Sequence, residues 1–403
     1  MSETSDEHRI LIIGGGIAGL ATAWFLARRG ARDVVLLERE RELASQATAQ
    51  NAAILRTPMP DALTEGLARE SARFLRQPPP GFSPVPLLDP CGMVIASTRA
   101  EGERGDWEHR LDARALSGTD GEPPDVERLT PARLASLAPH FEAPVRRAWL
   151  LPREGRIDNA ALTYGFESGA RRAGVRFESG QAAQKLLVAP ARRDSPQRPR
   201  VTGVRLADGR VLRADQTVIA AGAWAAELGR AAGSRVALRP TRRHLVVSEV
   251  DARIDARWPV VWTDGDPFYA RPESGGLMLC GCDEVDVDPD HLETLPEERE
   301  RALEKTARYL PRFADLRAAH YWAGIRTLTH DDRFVIGRDG DVDGLAWVAG
   351  LGGHGMTCSA AIGRLAADLI RVGTSAHPAA AGVDPARFSR RASTAPEDLR
   401  ARR

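Results

Sequence analysis

The sequence predicts an α/β fold in two parts, one built on a parallel sheet and the other on an antiparallel sheet. Three observations predict it. Residues 10–38 read as an apolar run, a glycine-rich turn, a helix-compatible segment and a second apolar run ending on an acid. Residues 345–370 repeat the strand, glycine turn and helix late in the chain. Between them, residues 240–295 hold short runs with strand alternation, the mark of an antiparallel sheet. At 403 residues the chain is long for one core, so two domains are expected.

Ile10–Ile13 runs straight into Gly14-x-Gly16-x-x-Gly19, and after the helix-compatible segment Val34–Leu37 ends on Glu38. This is a Rossmann-type βαβ unit. Gly14 permits the tight turn, Gly16 lets the backbone approach a pyrophosphate, and Gly19 lets the helix lie close on the strand. The unpaired N–H groups of the first helical turn, at Ile17 and Ala18, and the helix dipole face the phosphates. Glu38 is placed to accept hydrogen bonds from both hydroxyls of an adenosine ribose, and an acid there disfavours NADP. A chance glycine turn would lack the strand, helix and acid at these offsets. The motif alone does not separate NAD from FAD.

Residues 43–56 are small and polar before turning apolar. Small side chains let a backbone pack flat against a large ring, and Ser45, Thr48 and Asn51 offer hydrogen bonds without bulk, so a flavin contact is expected. A helix-entry loop capped by Thr48 is the compatible, blander reading. Residues 61–76 have helical apolar spacing, stopped by Gln77-Pro-Pro-Pro-Gly81, which reads as a crossing to another domain. Residues 101–128 read as a surface loop with a short helix, and Pro131–Leu137 as one or two helical turns. A helix is expected from 157 to about 173, with Asp158 as its N-cap. A strand follows over 175–187, then a mobile hairpin loop over 190–200. A hairpin over 201–212 turns on Asp208-Gly209, a pair that suits type I′ geometry.

Thr217–Trp224 reads as a buried strand breaking on Gly222. Within 240–295, strands are expected at 244–250, 260–263, 268–271 and 277–282, followed by a charged amphipathic helix over Pro296–Tyr309. Leu345–Ala349 leads into Gly350-Leu-Gly352-Gly353-His354-Gly355-Met356-Thr357 and a helix to Ile370. A second set of backbone N–H groups can thus aim at the same ligand. Residues past Val372 read mostly as tail.

With 43% apolar and 28% charged residues and a formal charge of +1, the composition is that of a globular protein without a nucleic-acid footprint. Of its 56 basic residues only Lys185 and Lys305 are lysines, a compositional bias more than a basic patch. Four cysteines are too few for a disulfide framework and fit a reduced compartment. Cys280-Gly-Cys282 lacks C-x-x-C spacing and a second ligand pair, so it reads as core strand, and no metal is expected. The N-terminus carries no signal-peptide pattern, and no apolar run reaches the ~18 residues of a transmembrane helix. A cytoplasmic location is expected.

Taken in order, GGGIAG (14–19) with Glu38, ATAQNAA (47–53), AAGAW (220–224), FYARP (268–272), WAGIR (322–326), GLGGHGMT (350–357) and DPARF (384–388) resemble the D-amino-acid oxidase family of FAD-dependent oxidoreductases. Within that family the PPPGF and PLL segment, IDNAAL and RPTRR are most similar to the D-arginine dehydrogenase and glycine oxidase type. The resemblance implies a Rossmann-type, GR2-like FAD-binding domain, discontinuous over 8–80, 150–235 and 321–390. The substrate domain would cover 81–149 and 236–320, its antiparallel sheet roofing the flavin, with a tail over 391–403. The implied FAD site comprises the first glycine turn with Glu38 and Arg39, then Ser45, Thr48, Asn51, Ala52 and Ala53. Ala183, Ala221, Gly222 and Trp224 join it, as do Arg326 and the late turn at Gly352, Gly353, His354, Gly355, Met356 and Thr357. Attachment is expected to be noncovalent, because the segments where relatives tether FAD, 326–333 and 43–56, contain only His330 and no Cys.

By the same resemblance Arg326 clamps a substrate carboxylate, which a guanidinium fork meets bidentately. Arg243 is the second clamp, with Arg242 as its register alternative, and Tyr269 adds a hydroxyl. The blander readings are surface salt bridges for the arginines and a core aromatic for Tyr269. Ile54, Arg56 and His354 stand beside the substrate, His354 offering its backbone more than its ring. The implied enzyme is an amine or amino-acid dehydrogenase or oxidase acting on a small-molecule substrate. Hydride passes from the α-carbon to flavin N5, and water hydrolyses the imine to a keto acid and ammonia, with no dedicated base. Oxygen, a quinone or a dye could serve as electron acceptor.

Relatives acting on D-arginine place an acid just before the Met-Val strand, where this chain has Cys91-Gly92-Met93, and a small polar residue where it has Arg56. A guanidinium there repels a cationic side chain, so a neutral or acidic side chain, or a different amine, is expected. Two other readings compete. A flavoprotein monooxygenase is disfavoured because the late glycine turn lacks that class's Gly-Asp motif. A flavin-binding subunit of a multi-chain dehydrogenase would share every motif named above.

Overall fold

The apolar runs that open the chain become strands buried along nearly their whole length, the pattern of a parallel sheet covered on both faces. The computed structural model describes residues 9–116, 125–142, 144–189 and 198–389. The chain starts with β1 (Ile10–Ile13), α1 (Ile17–Arg28), β2 (Val34–Glu38) and α2 (Ala62–Arg76). Next come β3 (Met93–Ser97), α3 (Asp106–Leu116), α4 (Pro131–Leu137), β4 (Arg147–Leu151) and α5 (Asn159–Arg172). β5 (Arg176–Ser179), β6 (Ala183–Ala189), β7 (Arg200–Leu206), β8 (Val211–Arg213) and β9 (Gln216–Ile219) follow. β10 (Arg239–Ser248), β11 (Val260–Asp264), β12 (Phe268–Glu273) and β13 (Gly276–Cys280) precede α6 (Pro296–Tyr309). The last long elements are β14 (Ala318–Leu328), β15 (Val335–Arg338), β16 (Leu345–Ala349) and α7 (Gly355–Arg371).

The first sheet runs β15-β16-β9-β1-β2-β5 and is parallel except at its β15 edge. Parallel register brings the C-terminal ends of β1, β2, β9 and β16 to one side, where an open α/β sheet binds its ligand. Alternate side chains serve two cores. Ile10 and Ile12 join the cluster built with α1, α2, α5 and α7, whereas Leu11 and Ile13 pack against the small sheet β6-β7-β8. Trp24, Phe74, Phe82 and Phe166 lock the helical side together, with Phe74 stacked on Phe166 at 5.7 Å. Of the helices away from the glycine turns, α2, α4 and α5 carry side-chain caps, from Asp61, Thr130 and Asp158, whereas α6 opens on Pro296 without one.

The second sheet has nine strands. Residues 285–286, β10, β13, β12, β11, β3, β4 and residues 127–128 follow one another, with β14 also paired to β10. Every pairing is antiparallel except that of β11 with β3. Val246, Val261, Phe268 and Leu279 cluster with Ala302 and Tyr309 of α6. The intervening side chains Leu245, Trp262, Tyr269 and Cys280 cluster instead with Ala52 and Ile54, which come from the first part of the chain.

Several expectations change. The strand read over 175–187 is two strands in two sheets, because Gly180 turns the chain at φ +70° between β5 and β6. The Asp208-Gly209 hairpin is not type I′. Gly209 alone takes positive φ, and its N–H donates to Leu206 O at 3.0 Å, so the loop has three residues with glycine in the left-handed position. Within 101–128 lies the three-turn helix α3, held because Trp107 and Leu111 are buried with Trp149. The remainder of that loop, 117–124, lies outside the described residues, as do 190–197 of the expected mobile hairpin and the tail from 390. Residues 380–383 and 386–389 are helical, with Val383 and Phe388 buried, so the described residues 380–389, expected as tail, are packed. The domain limits read at 149/150 and 320/321 fall inside β4 and β14, both strands of the second sheet. We infer a division that assigns those strands to the substrate part.

Candidate active site

A cavity of about 750 Å³ lies between the glycine turns of the first sheet and the inner face of the second. Every residue expected to touch cofactor or substrate borders it except Gly19. A Cβ at Gly19 would stand 1.9 Å from Gly14 O, so Gly19 seats α1 on the turn and does not line the cavity.

The two long helices that start at this cavity, α1 after Gly16 and α7 after His354, lack a side-chain cap from their N-cap residues. Their first N–H groups are therefore available to a ligand, unlike those of α2, α4 and α5. One is satisfied by the protein: Ile17 N–H donates to Thr48 Oγ1 at 3.0 Å. Thr48 thus caps a helix, but it is α1, distant in sequence, and not a helix of its own segment. Glu38 is held by Gly15 N–H at 2.7 Å and Glu40 N–H at 2.9 Å. Arg39 lies 3.6 Å over the Trp224 ring, and Trp224 Nε1 donates to Asp290 at 2.7 Å.

Asn51 uses its amide on its own loop. It donates to Thr48 O and accepts from Ala53 N–H at 2.7 Å and Asn159 Nδ2 at 3.1 Å, which makes it a shaper of the loop. The loop is pinned to the second sheet where Arg271 Nε donates to Ala52 O at 2.7 Å, and to α7 where Thr357 Oγ1 donates to Ile54 O at 3.1 Å. Ser45 Oγ is buried without a protein partner. Two helix starts whose N-cap residues give no side-chain cap, a carboxylate fixed at the end of β2, and an orphaned hydroxyl in the lining fit the phosphates, sugar and ring of FAD.

At the other end, strand register sets the cations. Thr241 pairs with Arg326 and Arg243 with Gly324, so Arg243 and Arg326 are diagonal neighbours on one face of β10 and β14. Arg242, on the opposite face, donates to Glu293 O at 3.1 Å, which leaves Arg243 as the arginine at the cavity. Arg326 rests on the late glycine turn, where a Cβ at Gly353 would come 2.7 Å from its Nε. Tyr269 stacks on Trp262 at 4.5 Å, and the Arg56 guanidinium sits 4.5 Å over the Trp262 ring. Burial pushes the Tyr269 hydroxyl well up, so it stays a donor.

Burial, reinforced by Arg56, Arg326 and Arg243, holds His354 down at about 3, so its imidazole is neutral. Burial also lowers Arg56 and Arg326, whereas at Arg243 burial is outweighed by Cys280, Cys282 and Tyr269. Cys280 is buried in β13 as expected. Cys282 departs from the core-strand reading: it lies past the strand end in a left-handed conformation, φ +60°, and borders the cavity. Burial opposes ionisation of Cys280, yet the Cys282 hydrogen bond, Arg243, Tyr269 and Arg326 together bring its thiol to about 6.

Sequence reasoning passed over Trp262, Asp264, Cys282 and Glu284, all at the cavity. Trp262 was within reach of it, since two paired strands with Tyr269 facing inward force the partner opposite to face inward too. The others lie at or beyond strand ends, and nothing local marks them.

Behind Arg56, the buried carboxylate of Glu154 accepts the Thr57 N–H at 3.2 Å on both oxygens and bonds the Thr57 hydroxyl. Burial raises it from 4.5 to about 7 against those hydrogen bonds. Between these values the folded protein holds a proton that the unfolded chain releases. Stability from this group therefore rises as pH falls through that window, by at most ~1.4 kcal/mol per unit, and is gone above it. Glu154→Gln should raise Tm at about pH 8.5 more than at about pH 5.5. Equal changes at both pH values would refute the assignment.

Among the described residues no His, Cys, Asp or Glu cluster could hold a metal ion, and no helix is long and apolar enough to cross a membrane. A family model described as FAD dependent oxidoreductase (DAO) matches residues 9–369. The chain is 25% identical over 373 residues to an uncharacterized oxidoreductase of Bacillus subtilis (strain 168), covering 89% of this chain and 94% of that protein. It is 26% identical over 395 residues to 4-methylaminobutanoate oxidase (formaldehyde-forming) of Paenarthrobacter nicotinovorans, covering 94% of this chain and 46% of that protein. It thus spans about half the length of that relative. The structure of L-proline dehydrogenase from P. horikoshii superposes with a TM-score of 0.81 at 21% identity, over 96% of this chain and 99% of that one, a likeness of fold.

Proposed function

The chain belongs to the DAO family of FAD-dependent oxidoreductases, which act on amines or amino acids, and from that premise we propose that it oxidises a carboxylate-bearing amine with no cationic side chain. One observation carries this reading. The Arg326 guanidinium rests on the late glycine turn inside the cavity, and among the described residues no carboxylate is ion-paired with it.

Arg326 offers two parallel N–H donors to a substrate carboxylate, with Arg243 and the Tyr269 hydroxyl beside it. FAD, when bound, supplies the acceptor for a hydride from the substrate's α-carbon. The cations also act on the amine, because their field disfavours an ammonium and favours the free lone pair that must form the imine. Burial and the arginines leave His354 too weakly basic to take up a proton and Tyr269 stays protonated, so neither acts as a base, and hydride transfer from the free amine needs none. Water then hydrolyses the imine to a carbonyl compound and an amine or ammonia. The cations also repel a second positive charge, which makes D-arginine and D-lysine poor substrates.

Anaerobic mixing of the yellow protein with D-amino acids, N-methyl amino acids and hydroxy acids tests this. Neutral or acidic amines should bleach the flavin and hydroxy acids should not. A panel in which D-arginine is fastest would reject the charge argument, and a flavin that no amine bleaches would reject the reaction. The isolated chain should turn over with an artificial dye acceptor, which a subunit dependent on a partner chain would not. Arg243→Met should lower kcat/KM about tenfold or more while Arg242→Gln leaves it unchanged.

FAD attachment is noncovalent in this reading. His330 packs on Phe388 at 5.4 Å and does not border the cavity. Acid denaturation should release all the yellow colour, and colour retained in the pellet would overturn this.

A further inference from the structure

One carboxylate cannot satisfy the substrate end of this cavity. Arg56, Arg243 and Arg326 all border it, and the Nε atoms of Arg56 and Arg243 are buried without a hydrogen-bond partner. The nearby acids are already engaged. Asp264 is paired with Arg99 at 2.5 Å, and Glu284 with Arg239 at 2.8 Å, so that Glu284 reaches Arg243 only at 3.5 Å. Glu154 is hydrogen-bonded to Thr57 and does not border the cavity. Glu38 belongs to the ribose end, held by Gly15 and Glu40. Arg243 thus has Glu284, but among the described residues no carboxylate is ion-paired with Arg56 or Arg326, so two guanidiniums lack one.

The cations also stand apart. Arg243 and Arg326 share one face of β10 and β14, whereas Arg56 comes from the loop before α2 and lies over Trp262, with Tyr269 stacked on that ring.

We propose that the site takes an amine bearing two carboxylates, one gripped by Arg326 with Arg243 and the other by Arg56 braced on Trp262. The inference rests on the amine-oxidising reading above. A monocarboxylate would leave the buried Arg56 Nε unpaired, whereas a dicarboxylate converts that penalty into affinity. The chemistry covers iminodiacids, in which nitrogen joins two carboxylated carbons, and α-amino dicarboxylic acids.

The test uses the yellow holoenzyme and two readouts. Unreactive malonate, succinate and glutarate are titrated against acetate, following the visible flavin spectrum and Tm. At least one dicarboxylate should bind about 100-fold more tightly than acetate, and Arg56→Gln should narrow that ratio to about threefold. In the anaerobic assay, iminodiacetate should bleach the flavin faster than N-methylglycine, or D-glutamate and D-aspartate faster than D-alanine, and whichever pair responds identifies the skeleton.

Equal binding of acetate and dicarboxylates by the wild type, or a preference that survives Arg56→Gln, would overturn the proposal. Should Arg56→Gln not retain flavin, Arg56→Lys keeps the charge without the fork and should give an intermediate ratio, and an unchanged one counts against the proposal. Dicarboxylate binding that depends on Arg56, in a protein whose flavin no amine bleaches, would uphold the two-carboxylate site and sink the amine oxidation instead.

Discussion

Arg326→Met is expected to lower kcat/KM by about 10³-fold while the protein stays yellow. Truncating one partner of a desolvated charge pair removes ~2–5 kcal/mol, and each 1.4 kcal/mol is tenfold. A substrate that has lost its bidentate clamp also loses the orientation that points its α-hydrogen at the acceptor, so kcat should fall as well as KM rise. Arg326→Lys should recover only part of the loss, because a point charge lacks the planar fork. Gly353→Ala gives an independent check. Its Cβ would stand 2.7 Å from Arg326 Nε, and φ there is +84°, so the guanidinium must move even though it is chemically intact. A variant lacking Arg326 that keeps full kcat/KM would remove the carboxylate clamp from the mechanism.

Gly14→Ala is expected to yield a colourless protein. The new Cβ would meet Ala220 O at 2.3 Å and Ala220 C at 2.7 Å, and φ is +113°, which L side chains rarely adopt. The atoms it strikes are backbone at the end of β9, which cannot yield without parting β1 from its neighbour. The turn must therefore shift away from the position in which its amides face the pyrophosphate. Gly66→Ala on α2 is the control: nothing lies within 4 Å of its Cβ, the site is exposed, and the change should keep the colour and add ~1 kcal/mol of stability. Gly14→Ala protein with a full complement of FAD would show that the first glycine turn is not the cofactor's cradle.

The cofactor end was the more legible. The glycine motif acts through its backbone, and with its flanking strands and acid it lies within 29 consecutive residues, so local spacing fixes their relation. The same holds for α5 with its Asp158 cap and for α6, whose limits match the reading from sequence. Failures came where one residue could turn the chain either way, at Gly180 between two sheets and at Gly209 in the hairpin. Thr48 is instructive: a capping residue was recognisable, but the helix that it caps was not, because the partner N–H arrives from Ile17 through folding.

By itself the sequence determined the two-part architecture, the strand, glycine turn and helix at Ile10–Arg28, the acid Glu38 at the end of β2, and the arginines that we propose meet a carboxylate. Only the tertiary structure decided that Arg243 and not Arg242 faces the cavity, that Trp262 and Cys282 line it, and that Arg56 Nε has no hydrogen-bond partner among the described residues. The reason is register. A strand's side chains alternate with period two, and the partner strand and one-residue offset that choose the inward face are set by long-range pairing, which no local pattern encodes.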